Sequence, residues 1–76
     1  MTNQEIVLEA LSKELGVTVA PNLELRLEED LGLDSLGVFS VFLSIEEKTG
    51  KRIDANVQTI ANAKTISDIV NYVGSI

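Results

Sequence analysis

Seventy-six residues with no cysteine and no histidine fit one small domain over residues 1–76 and exclude a disulfide framework, a thiolate zinc site, a Ser-His-Asp triad and a Cys-His pair. Twelve acidic residues against six basic ones give a formal charge of −6, which repels nucleic-acid phosphates and turns the expectation toward basic partner surfaces. No apolar stretch approaches the roughly 20 residues that span a bilayer, and charges interrupt residues 1–15 where a signal peptide needs an apolar run; a soluble, cytoplasmic monomer with no transmembrane segment is expected.

Val7, Leu11 and Leu15 recur every four residues, joined by Ile6 and Ala10. They predict an amphipathic helix from Thr2 to Leu15, with Thr2 or Asn3 as cap and Gly16 as stop. Residues 17–34 hold Pro21, Asn22 and Gly32 among apolar residues from Val17 to Leu33, which reads as a loop that packs. The same stretch gathers acid: Glu24, Glu28, Glu29, Asp30 and Asp34, relieved only by Arg26. Such a cluster is most often a solvated face.

Leu36, Phe39 and Leu43, with Val38, Val41, Phe42 and Ile45, keep helical spacing up to Thr49, and Gly50 ends the run. A helix this broadly apolar belongs at the centre of a bundle. Over Lys51 to Lys64 a short helix at Asn56 to Ala61 is expected, with Ile53, Val57, Ile60 and Ala61 facing inward. Thr65 opens a last helix, where Asp68 three residues on completes a capping box and Ile66, Ile69, Val70 and Val73 share one face. Tyr72 closes the core. The expected fold is all-α: a small four-helix bundle of three main helices and one short one, with a long structured first loop.

Little catalytic chemistry is available. Adjacent carboxylates such as Glu28 and Glu29, or Glu46 and Glu47, point to different faces of a helix, and no Gly-rich phosphate loop is present. The informative place is Gly32-Leu33-Asp34-Ser35-Leu36, where the acidic loop meets the central helix. A serine at a helix start meets free backbone amides and the positive end of the helix dipole, which suits a phosphate diester on its oxygen. Asp and Ser are also favoured N-caps, so Asp34 and Ser35 read equally well in kind as caps alone, the commoner use of such residues.

Asp34-Ser35-Leu36, preceded by Glu28-Glu29-Asp30-Leu31-Gly32-Leu33, resembles the attachment motif of acyl carrier proteins. The likeness covers nearly the whole chain, through Leu15-Gly16-Val17, Ile45-Glu46-Glu47, Ile53 and Asn71-Tyr72-Val73. It implies that a separate phosphopantetheinyl transferase attaches 4'-phosphopantetheine covalently to Ser35, and that Asp34 helps that enzyme hold its magnesium. Acyl-transferring and acyl-modifying enzymes would then act on an acyl chain held as a thioester on the arm. The chain would be a carrier and not an enzyme, serving fatty-acid, lipid or polyketide-type biosynthesis. The resemblance also implies that the bundle opens between the second and third helices to take the cargo, where Phe39 and Phe42 would favour short or medium chains.

The sequence departs from that family in three places. Gly37, Val38, Phe39, Ser40 and Val41 carry no charge where the family places docking acids, so docking is expected to fall to Leu36, Val38 and Leu43, supported by Glu46 and Glu47. Gly37 weakens the helix by roughly 1 kcal/mol relative to Ala. Thr49 stands where the family has a core aromatic, a volume that Phe39 and Phe42 are expected to fill, and Asn56, Gln58 and Asn62 replace acids in the short helix. A specialised carrier with its own docking surface fits these changes. A stand-alone aminoacyl or peptidyl carrier, and an unmodified helical interaction module, are the alternatives.

Overall fold

The computed structural model describes residues 1–76 and contains four helices: α1 (Asn3–Leu15), α2 (Ser35–Thr49), α3 (Val57–Asn62) and α4 (Ile66–Ser75). Each begins where a short polar side chain satisfies an amide that the first turn leaves free. Thr2 and Glu5 cap α1 reciprocally: the Glu5 N–H donates to Thr2 Oγ1 at 3.2 Å and the Thr2 N–H to Glu5 Oε1 at 3.0 Å. Thr65 and Asp68 repeat the device at α4, as their spacing predicts. Asn56 caps α3 through the Thr59 N–H. Gly16 and Gly50 end α1 and α2 in the left-handed conformation, at φ 71° and 69°, which costs glycine little.

α1 packs on α2 and α4, while α3 packs on α2. The core joins Val7, Ala10 and Leu11 of α1, Val38, Val41, Phe42 and Ile45 of α2, and Ile66, Ile69 and Val73 of α4. No polar or charged side chain is buried with them, so apolar burial supplies the stability of this small domain. Tyr72 is half-buried and closes the core edge-on against Phe42.

The long first loop packs, as its apolar residues predict: Val19, Leu27 and Leu33 are buried. Its backbone is tied to the turn between α3 and α4. Leu27 donates to the Lys64 carbonyl at 2.9 Å, Ile66 to Leu25 at 3.1 Å and Ser67 to Leu23 at 2.8 Å. One isolated antiparallel bridge, Arg26 with Thr65, comes from the same stitching.

Two inward assignments change. Val57 is 85 % exposed and Ala61 is exposed, although Ile53 is buried as expected and Ile60 half-buried. The face that carries Val57, Ile60 and Ala61 does turn toward the body of the protein, but it borders an open groove there instead of a sealed core. No residue of the six-residue α3 is buried, so its groove-facing side chains stay open to solvent. Thr49 is half-buried and donates its hydroxyl to the Ile45 carbonyl at 2.8 Å. Of the two phenylalanines expected to fill the volume near it, Phe42 enters the core and Phe39 stays 38 % exposed.

Candidate functional site

The acidic loop delivers the chain to α2 through a tight backbone turn. Gly32, at φ 72°, donates to the Glu28 carbonyl at 3.0 Å, and Leu33 donates to the Leu27 carbonyl at 2.8 Å. Arg26 clamps the start of this turn: its N–H donates to Asp30 Oδ2 at 2.7 Å, and its guanidinium pairs with Asp30 and Glu29. The side-chain hydrogen bond from Arg26, followed by the one from its backbone N–H, holds the Asp30 carboxyl below the usual carboxylate range; the same pairing raises the guanidinium.

Asp34 and Ser35 divide the work at the helix start. Asp34 is the N-cap and its Oδ1 accepts the Gly37 N–H at 2.9 Å. Ser35 is therefore not the cap. It is the first residue of α2, exposed, and no hydrogen bond within the chain engages its Oγ. Its hydroxyl stands free beside the amides of the first helical turn, where a phosphate's negative charge is favoured. The chain has no histidine, and no side chain accepts a hydrogen bond from the Ser35 hydroxyl, so the serine is not paired with an activating base in the way a catalytic nucleophile is.

A groove of about 710 Å³ opens beside Ser35, between the first loop, the start of α2 and α3. Leu27, Leu33 and Val38 form its apolar floor, and Val57, Ile60 and Ala63 form the facing wall. Glu28, Glu29 and Lys64 bring charge to its exposed rim. An exposed serine on the lip of an apolar groove suits a flexible arm that is anchored outside and can lay an apolar end inside.

The residues expected for docking separate into two sets. Leu36, 76 % exposed, Phe39 and Leu43 form an apolar stripe on the outside of α2. Glu46 is half-buried, Glu47 is exposed, and neither forms an ion pair, whereas Lys48 pairs with Glu9 of α1. Val38 does not join this stripe. It is 5 % exposed and faces the core and the groove, because Val38, Val41, Phe42 and Ile45 together define the buried face of α2. Phe39, three residues after Leu36, belongs to the stripe in its place. The groove wall at Val57, Ile60 and Ala63 was beyond local patterning, since it forms only when α3 meets the loop.

Comparison with known proteins bears on the same residues. The family model for the phosphopantetheine attachment site matches residues 5–73. An acyl carrier protein of Arthrobacter sp. (strain FB24) is 32 % identical over 97 % of this chain and 94 % of its own length. The acyl carrier protein of Renibacterium salmoninarum is 32 % identical with the same coverage. That of Campylobacter fetus subsp. fetus is 36 % identical over 92 % of this chain and 84 % of its own. A four-helix fold, a serine held free at a capped helix start and likeness along nearly the full chain lead to one conclusion: the chain belongs to the acyl carrier protein family, the proteins with a phosphopantetheine attachment site.

Proposed function

We infer that Ser35 takes the phosphopantetheine arm and that the chain serves as a carrier, not a catalyst, for acyl groups bound to that arm as thioesters. The observation that carries the assignment is the separation of roles at the helix start: Asp34 does the capping, which leaves the Ser35 hydroxyl exposed and uncommitted. When attached, phosphopantetheine supplies the thiol that a cysteine-free chain lacks. Ser35 contributes the oxygen that attacks the pantetheine-bearing phosphorus of coenzyme A, its proton passes to a base on the transferase, and the pyrophosphate bond breaks to release adenosine 3',5'-bisphosphate. The first-turn amides of α2 stabilise the negative charge that the serine then bears. Asp34, whose Oδ2 makes no hydrogen bond within the chain, is free to support the transferase's magnesium. Leu27, Leu33, Val38 and Ile60 line the space that withdraws an acyl chain from water.

Partners dock on Leu36, Phe39 and Leu43, with Glu46 and Glu47 at the far end of the stripe; Val38 supports the helix from behind. An apolar docking face in place of an acidic one points to a dedicated lipid or polyketide-type route, and not to the general carrier of fatty-acid synthesis.

Incubation with coenzyme A and a broad-specificity phosphopantetheinyl transferase tests the assignment. Intact-mass spectrometry should find one added phosphopantetheine on the wild type and none on Ser35→Ala. A wild type that gains no mass, or a Ser35→Ala that gains the same mass, would refute it.

A further inference from the structure

Gly37 is the third residue of α2, and the space that a side chain would need there is already taken. A Cβ built at Gly37 would lie 2.8 Å from Leu33 Cδ2, 3.4 Å from Asp34 Oδ1 and 3.6 Å from Leu33 Cβ. The first of these is closer than carbon atoms approach without one of them moving. The backbone on both sides is held, by the Gly37 N–H on Asp34 Oδ1 at 2.9 Å and the Leu33 N–H on the Leu27 carbonyl at 2.8 Å. What can yield is the end of the Leu33 side chain.

Its direction of escape follows from what lies on either side. Leu33 is the partition between two hollows. One is the 710 Å³ groove, where it stands with Leu27, Val38 and Ile60. The other is a shallow dish of about 400 Å³, where it stands with Leu15, Leu36, Gly37 and Ser40. Gly37 borders the dish and not the groove. The Cδ2 end of Leu33 therefore occupies the room that the missing side chain leaves, while the residue still lines the groove. A methyl group at position 37 would press that end toward the groove.

We propose that Gly37 determines how long an acyl chain the groove accepts, by giving Leu33 a place to lean outside it. Glycine costs α2 some helix stability at this position, and the geometry gives that cost a use. The proposal rests on the reading of the groove as the cargo's shelter.

Thermal unfolding of the modified protein, loaded with saturated acyl chains in two-carbon steps, tests it. Wild-type melting temperature should rise with chain length and level off when the groove is full. In Gly37→Ala the plateau should come earlier, by about one methylene for the one carbon added to the lining. Leu33→Val, which lacks the Cδ2 that a residue 37 side chain would strike, should move it to longer chains, and the double variant, with no Cδ2 left to displace, should match Leu33→Val. A plateau that stays in place in Gly37→Ala, or fails to lengthen in Leu33→Val, overturns the proposal and leaves the shelter intact. Wild-type melting that ignores chain length overturns the shelter, and the role of Gly37 with it.

Discussion

The ring of Phe42 meets the ring of Tyr72 edge-on, with centroids 5.7 Å apart and planes inclined by 62°. The contact joins α2, which carries Ser35, to α4, although the main packing of those helices is against others. Phe42 is the largest fully buried side chain, so Phe42→Ala should lower stability by about 3–5 kcal/mol. A double-mutant cycle of Phe42→Leu and Tyr72→Leu in urea should return a coupling of about 0.5–1.5 kcal/mol. Additive single effects would mean that the rings merely fill space side by side.

Asp34 has two duties that substitutions can pull apart. Asp34→Ala removes the cap and should lower stability by about 1 kcal/mol. Asp34→Asn keeps a capping oxygen and should leave the melting temperature near the wild-type value. If the carboxylate supports the transferase's magnesium, Asp34→Asn should still slow modification of Ser35 by roughly 10- to 100-fold. Equal modification rates for Asp34→Asn and wild type would confine Asp34 to capping.

Docking through an apolar stripe should be less sensitive to salt than docking through acids. With the phosphopantetheinyl transferase as probe, Leu36→Ala or Leu43→Ala should raise KM by on the order of tenfold. Glu46→Gln and Glu47→Gln should change it by less than about twofold. A steep rise in KM between roughly 50 and 150 mM salt, with little effect of the leucine substitutions, would transfer the docking energy to the acids.

Stability should depend on acid through two exposed carboxylates. Asp30 is held below its ordinary pKa by the Arg26 side chain and then the Arg26 N–H; Glu5 is held down by the Thr2 N–H and then the Thr2 hydroxyl. A carboxyl depressed in the folded state contributes stability above its unfolded pKa, and that contribution disappears as pH falls through the folded value. Asp30→Asn and Glu5→Gln should therefore melt slightly below wild type at neutral pH, with the gap closing in acid. Thermal melts between about pH 7 and pH 2 would show it, and a gap that widens in acid would contradict the sign.

Legibility followed the range of the interactions. The Thr65 and Asp68 box and the Gly16 and Gly50 stops are local effects whose spacing is visible in the chain, and the apolar residues of the first loop showed that it packs though not against what. Thr2 and Glu5 carry the same spacing as Thr65 and Asp68, so that box also had a signal. The acidic Asp-Ser-Leu junction was equally plain, but which of its residues caps and which stays free depends on where the helix begins. α2 has apolar residues on more than one face, so spacing alone could not choose between Val38 and Phe39 for the outside. Packing in the assembled fold made the choice, burying Val38 and leaving Phe39 38 % exposed. The exposure of Val57 depends on how separate segments meet, and the closeness of Leu33 to Gly37, though only four residues apart, depends on the rotamer of Leu33, which no spacing pattern encodes.

The stitching of the first loop to Lys64 gives the groove one stiff jaw and one compliant one. Loop residues beside Leu27 cannot swing outward without breaking the 2.9 Å bond to the Lys64 carbonyl. Across from them, α3 is anchored near its ends, by buried Ile53 on one side and by Lys64 on the other, and has no buried residue of its own between them. A bulkier occupant is therefore expected to displace α3 before it displaces the loop. Amide hydrogen exchange should therefore register loading along Val57–Asn62 far more than at Leu27, which makes the short helix the carrier's gauge of what it holds.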